Sequence, residues 1–225
     1  MRRSILAICW GALGVIAPVH AASIAAPEPA SGWQAKPAVQ AQRFMAVTAH
    51  PLATQAAVDV LSNGGTAVDA TVAAQIVLNL AEPQSSGIGG GAFMLFWDAA
   101  ERQLHTLDGR ETAPAAADAN YFLDANGAPL KWREAMVGGR AVGVPGTLHL
   151  LHTAHNLFGK KPWAELFKPG ITLATEGFSV SPRLAQSIAS AADRGLLKFA
   201  PARGYFFTAS GDPLPVGFTL KNQLF

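Results

Sequence analysis

Glu82-Pro83-Gln84-Ser85-Ser86-Gly87-Ile88-Gly89-Gly90-Gly91 runs without a break into Ala92-Phe93-Met94-Leu95-Phe96-Trp97, and the order of structure on either side of it decides the fold. Upstream, Val68, Val72, Ile76, Val77 and Leu80 recur every three or four positions, the spacing of a helix that Glu82-Pro83 ends. Downstream, the apolar run from Ala92 to Trp97 reads as a strand apolar on both faces of its pleat, and therefore buried. Gly87-x-Gly89-x-x-Ala92 matches a dinucleotide-binding fingerprint by letter. That fingerprint needs a strand before it and a helix after it, so that a helix N-terminus meets the pyrophosphate. Here the order is helix, loop, strand, and no lysine follows as a phosphate-binding loop would require. The glycines instead read as a backbone device that permits close approach of neighbouring chain.

Working outward, His50-Pro51 starts an earlier helix with proline in its first turn, and Asn63-Gly64-Gly65 closes it as a glycine C-cap. Thr66 or a neighbour is expected to cap the helix that follows. Phe44 to Thr48 reads as a short apolar strand. On the other side, Asp98 to Arg102 is a turn and Gln103 to Leu107 returns as the partner strand, delivering the chain to Asp108-Gly109-Arg110-Glu111 at a strand end. Gly143-Val144-Pro145-Gly146 precedes a helix from about Thr147 to Leu157, and Trp163 to Thr175 reads as another. The pattern predicts a mixed α/β domain with central, well-buried strands covered by helices.

Half of the 225 residues are hydrophobic and 14% are charged, which allows a real core and argues against disorder. Met1-Arg2-Arg3, the uncharged apolar run Ile5 to Ala17 and the A-x-A-like Val19-His20-Ala21 together read as a signal peptide over residues 1–21. The run is shorter than the roughly 20 apolar residues of a membrane span. Arg2-Arg3 also allows a twin-arginine signal, but the pair sits at the extreme N-terminus before a strongly apolar core, which favours ordinary secretion. Residues 22–42, rich in Ala, Pro and Ser, read as a flexible lead. Either export route places the mature protein in the periplasm or outside the cell.

The pI near 8.9 suggests an anionic partner only until the signal is removed. The 17 Lys and Arg less Arg2 and Arg3 leave 15, against 15 acidic residues. The near-neutral mature chain has no electrostatic footprint for nucleic acid or for a membrane surface. Its only cysteine, Cys9, lies in the signal, so no disulfide, thiolate nucleophile or cysteine metal ligand remains.

Few residues then stand out for chemistry. Ser85 and Ser86 lack a nucleophile elbow and a paired base. His149, His152 and His155 are three apart in a predicted helix, drift around its surface, and have no His-Glu-x-x-His pattern, so they read as partly exposed helix residues and no metal is expected. Asp108, Glu111 and Glu134 have no spacing that makes an acid/base pair. Arg110, taken from the residues alone, reads as a solvated loop arginine paired with Asp108 or Glu111, worth under about 1 kcal/mol.

Six stretches together resemble the large subunit of γ-glutamyltranspeptidase, in order and spacing, from about Met45 to Arg183. They are His50-Pro51-Leu52-Ala53, Asn63 to Ala70, Glu82 to Gly91, Asp108-Gly109-Arg110-Glu111-Thr112-Ala113-Pro114, Gly139 to Gly146, and Pro162 to Phe167. The resemblance implies an N-terminal-nucleophile hydrolase, α/β in class, with two stacked sheets between helical layers (αββα), incomplete in this chain. Residues 43–225 would then be a partial large subunit of a precursor that cuts itself in two. The nucleophile implied is the new N-terminal threonine of the small subunit, expected downstream of Phe225, so no catalytic residue is expected in this chain and the fragment alone is expected to be inactive. Such a threonine can use its own α-amine, with an ordinary pKa of about 8, as base.

The family's substrate arginine falls on Arg110, whose planar guanidinium would hold the donor's α-carboxylate through two parallel hydrogen bonds. Glutathione and other γ-glutamyl compounds are the implied donors and water, an amino acid or a peptide the acceptor, with no cofactor. Two alternatives stay open: a glutaryl or cephalosporin acylase of the same family, and a non-catalytic truncated remnant. Signal cleavage after Ala21 predicts a mature N-terminus at Ala22, which intact-mass measurement of exported protein checks; a terminus upstream of Ala17 or a lipid on Cys9 contradicts it.

Overall fold

Proline in the first turn of a helix loses no hydrogen bond, because that N–H has no acceptor within the helix. Pro51 accordingly opens α1 (Pro51–Ser62), and the His50 ring caps it, Nδ1 accepting from the Leu52 N–H at 3.2 Å. A computed structural model of the chain describes residues 37–225, of which Val39–Phe225 form one unit. The expected signal, 1–21, and residues 22–36 of the expected lead lie outside the described residues. Residues 37–42 are exposed and belong to no helix or strand.

Gly64, at φ +79°, turns the chain out of α1, and Thr66 starts α2 (Ala67–Ala81) with a reciprocal capping box. The Asp69 N–H donates to Thr66 Oγ1 at 3.1 Å and the Thr66 N–H to Asp69 Oδ2 at 2.8 Å. Apolar residues lie all round α2, as expected of a central helix. Ala70, Ala73, Ala74 and Val77 meet Ala53, Ala56 and Ala57 of α1, an interface of small side chains that lets the two helices lie close. Val72 joins a second cluster and Leu80 a third, so each part of the core is built on this helix.

β1 (Ala92–Asp98) and β2 (Gln103–Gly109) form an antiparallel hairpin in the register Ala92↔Gly109. Beyond it come the short α3 (Trp132–Met136) and then α4 (Thr147–Phe158), whose Leu150 and Leu151 pack with Val72 and Leu166 against the inward side chains Met94 and Leu107. A single 3-10 turn, Trp163–Phe167, leads to α5 (Lys168–Glu176). β3 (Phe178–Ser179) pairs with β4 (Thr219–Leu220), enclosing α6 (Pro182–Asp193) and α7 (Ala200–Phe206) in the connection. Leu80, Ala174, Phe178, Leu184, Ile188 and Leu214 form the core of this second half.

Three expectations are corrected. Phe44 to Thr48 forms no strand; Met45 and Val47 are exposed, and Thr48 Oγ1 instead donates to the His50 carbonyl at 2.8 Å. β1 is covered on one face only: Met94 and Phe96 turn inward, while Phe93, Leu95 and Trp97 are 66%, 73% and 57% exposed because α4 packs on the other side. Trp163 to Thr175 is two elements. Pro169 can occupy the first turn of α5 but cannot donate into a helix continuing from Trp163.

Burial lowers the His50 pKa below its ordinary value of about 6.5, since charging the ring would cost desolvation and abolish the cap. A depressed folded pKa gives stability that is complete above the unfolded value and lost as pH falls through the folded one. Melting temperature should therefore fall on acidification below about pH 6.5, with His50→Asn, a capping residue that does not titrate, showing a shallower slope. His50→Ala should cost about 1 kcal/mol at neutral pH in urea unfolding.

Candidate functional site

Arg110 follows the last residue of β2, and the chain segments around it are tied to one another. Its N–H donates to Asp108 Oδ1 at 2.9 Å. Gly90 at the end of the glycine loop accepts, through its carbonyl, the N–H groups of Gly146 at 2.9 Å and Thr147 at 3.1 Å, which ties the loop to the start of α4. The Val144 N–H donates to the Thr112 carbonyl at 2.9 Å in an antiparallel bridge just beyond Arg110. Three separate stretches of the sequence, 82–91, 108–114 and 139–146, therefore meet around this one arginine.

Their approach is close enough to exclude side chains. A Cβ on Gly146 would collide with the Gly109 carbonyl oxygen and stand 3.1 Å from that of Arg110, and one on Gly109 would stand 2.5 Å from Leu150 Cβ. Gly146 has φ −115°, a conformation open to any residue, so the need here is for space. The Glu111 carboxylate lies against the backbone of Gly91. The outcome is a fixed backbone with an exposed side chain at Arg110, whose guanidinium has no ion pair or hydrogen bond among the described residues. The pairing with Asp108 or Glu111 that a solvated loop arginine would make does not form. Two clefts of about 510 and 530 Å³ lie elsewhere, one lined by Ile76, Tyr205 and Phe225 and the other by Leu52, Leu166 and Thr172.

The glycine loop is pinned at its other end as well. Ser86 Oγ accepts from Gln75, the Ile88 N–H donates to Asn79 Oδ1 at 3.0 Å, and Ser85 Oγ accepts from an Arg183 Nη at 2.9 Å. Arg183 Nε also stands 3.2 Å from Glu82 Oε2, which receives the Gln84 amide at 2.6 Å. Burial, at 2% exposure, raises the Glu82 pKa above the ordinary carboxylate value, and Arg183 and then Gln84 oppose that rise. Ser85 and Ser86 are thus fasteners of the loop. None of Gln75, Asn79 and Arg183 stands out in the sequence, since each acts across 9 to 98 residues of chain.

His149 and His152 are exposed on α4, whereas His155 is half-buried, with Nε2 donating to the Lys161 carbonyl at 2.8 Å. Among the described residues, the group with donor atoms close enough for a metal is Asp98, Glu101 and His105, at the β1–β2 turn; there Asp98 Oδ1 accepts from the Ala100 and Glu101 N–H groups as a turn former.

Residues 53–225 match the model of the family described as gamma-glutamyltranspeptidase. The chain belongs to the γ-glutamyltranspeptidase family. It is 43% identical over 176 residues to the glutathione hydrolase proenzyme of Bacillus subtilis strain 168, covering 78% of this chain and 30% of that protein. The crystal structure of Helicobacter pylori γ-glutamyltranspeptidase superposes with a TM-score of 0.77 at 33% identity, over 83% of this chain and 53% of the other. A cephalosporin acylase from Bacillus halodurans superposes with a TM-score of 0.64 at 28% identity, over 86% and 37%. The fold is thus that of the N-terminal-nucleophile hydrolases in part, and the chain spans about a third of the curated relative. Among the described residues the strands form two two-stranded antiparallel sheets, the β1–β2 hairpin and the β3–β4 pair, so only part of the two-sheet fold is represented.

The glycine packing makes a direct test. Gly146→Ala should destabilise the protein by about 1–3 kcal/mol in urea unfolding, because only backbone could give way. Gly89→Ala, where a Cβ meets nothing within 4 Å, should leave stability unchanged or raise it by up to about 1 kcal/mol.

Proposed function

We propose that this chain is the N-terminal part of an exported γ-glutamyltranspeptidase precursor, with residues 1–21 as signal, 22–42 as lead and 43–225 as part of the large subunit. The complete protein transfers the γ-glutamyl group of glutathione and related amides to water, an amino acid or a peptide. The observation that carries this reading is the Arg110 guanidinium, exposed and unpaired on a backbone that three family stretches hold still. A planar fork so presented suits a carboxylate, and fixing the α-carboxylate decides which end of a glutamyl group faces the nucleophile.

The nucleophile in this reading is the N-terminal threonine of a small subunit released from the same precursor. Its α-amine takes the hydroxyl proton as the oxygen attacks the γ-amide carbonyl. An ester forms, the donor's amine leaves with the proton, and an acceptor amine or water then breaks the ester. The proenzyme name of the Bacillus subtilis relative supports processing from a precursor. A second reading, favoured by the likeness to the Bacillus halodurans cephalosporin acylase, gives Arg110 the distal carboxylate of a glutaryl-type side chain instead. The arginine's role is the same in both, and the donor differs.

Expressed as the complete precursor, Arg110→Lys keeps the charge and loses the fork, a loss of about 1.5–3 kcal/mol. Donor kcat/KM for a γ-glutamyl anilide should fall roughly 10- to 150-fold, and further in Arg110→Ala. Self-cleavage on gels should continue in both, since processing needs no donor carboxylate. Normal donor kinetics in Arg110→Ala would overturn the reading, and turnover of a glutaryl amide in preference to the γ-glutamyl one would establish the acylase alternative.

A further inference from the structure

The glycine loop that backs Arg110 is anchored at its start by one side chain from a distant part of the chain. Ser181 caps α6, accepting the Leu184 N–H at 3.1 Å, and Leu184 and Ile188 are buried beside Leu80 and Ala81 at the end of α2. This fixes the backbone of Arg183 in the first turn of α6. From there its guanidinium bridges two points of the loop's first turn, Nε at Glu82 and Nη at Ser85, while the Ser85 and Ser86 N–H groups donate to the Glu82 carbonyl. The far end of the same loop presents the Gly90 carbonyl to α4 and the Gly91 backbone to Glu111, the neighbour of Arg110.

An arginine here does what a lysine cannot. A lysine ammonium could neutralise Glu82, but its three donors sit on one freely rotating nitrogen, whereas the guanidinium faces Glu82 and Ser85 from separate nitrogens, Nε and Nη, fixed in one rigid plane. Neutralising the buried carboxylate is a matter of stability; spanning it and Ser85 sets where the loop runs. We propose that Arg183 is a positioning residue for donor binding, setting the course of the Ser85–Gly91 loop and through it the position of Arg110. The inference rests on the reading of Arg110 as the carboxylate-binding residue. It concerns geometry transmitted through backbone, since Arg183 is placed by α6 and contacts the loop alone among the elements around Arg110.

The two functions of Arg183 are separable in the full-length precursor. Arg183→Lys should keep the melting temperature and self-cleavage, leave kcat unchanged, and raise KM for a γ-glutamyl anilide about tenfold, the scale of one lost charge-assisted hydrogen bond. Arg183→Met should also lower the melting temperature by leaving Glu82 unpaired, and adding Glu82→Gln should restore the melting temperature while KM stays high. With a donor whose α-carboxylate is an amide, the Arg183 variants and the parent should bind alike, because Arg110 then has no carboxylate to hold. Parental KM in Arg183→Lys, or recovery of KM together with melting temperature in the double variant, overturns the inference and reduces Arg183 to a structural ion pair. A KM defect of equal size on the amidated donor overturns it too. Failure of the underlying reading looks different: Arg110→Ala itself then shows normal donor kinetics.

Discussion

A single buried carboxylate holds the two halves of the Arg110 platform in one frame. Asp69 has no exposure to solvent, and it accepts hydrogen bonds from the N–H groups of Thr66, Lys160 and Lys161 at 2.8–3.2 Å. The first closes the cap of α2; the other two lie 91 and 92 residues further on, just beyond α4. An isolated carboxylate would be costly to bury, but one that receives several backbone N–H groups replaces much of its hydration with fixed dipoles. His155 stands beside it, 3.6 Å away, and its bond to the Lys161 carbonyl keeps the same segment in place. α2 supplies every core cluster and α4 closes over the hairpin, so their relative position decides where β2 ends and where Arg110 emerges.

Around Arg110 the same economy is achieved by leaving side chains out. Gly91, Gly109, Gly143 and Gly146 let three chain segments touch backbone to backbone, and hydrogen bonds from Gly146, Thr147 and Val144 finish the joint. The long flexible side chain is thereby mounted on a closely held backbone. Glu82 and Arg183 extend the arrangement to the second half of the fold, where a buried carboxylate and a 41%-exposed guanidinium form an ion pair that reaches from α6 to the loop.

Local chemistry made much of this legible. Pro51, the cap at Thr66, Gly64 and the turn at Asp98 each act within four residues, and the helices and hairpin follow from them. The order helix, loop, strand was enough to set aside nucleotide binding at the glycine run. The failures share a cause too. Whether Phe44–Thr48 pairs, and which face of β1 is covered, depend on partners that no local pattern names. Apolar residues on both sides of a pleat say that the strand suits burial, and α4 supplies cover for one side. Arg110 was recognisable through its flanking motif, with its unpaired state visible only in three dimensions; Asp69 went unnoticed, because its bonds to Lys160 and Lys161 reach across 91 and 92 residues. Glu82 and Arg183, 101 positions apart, left no trace at all in spacing.

The stillness of the backbone at Arg110 has a thermodynamic consequence for whatever anion it meets. Ordering one residue's backbone costs about 1–2 kcal/mol and freezing a long side chain up to about 2. Here the first cost is settled when the protein folds, so that only the rotamer freedom of the guanidinium arm remains to be lost on binding. The arm can search solvent from a stationary origin, and the free energy of two parallel hydrogen bonds is spent on capturing the ligand rather than on organising the loop that carries the arginine.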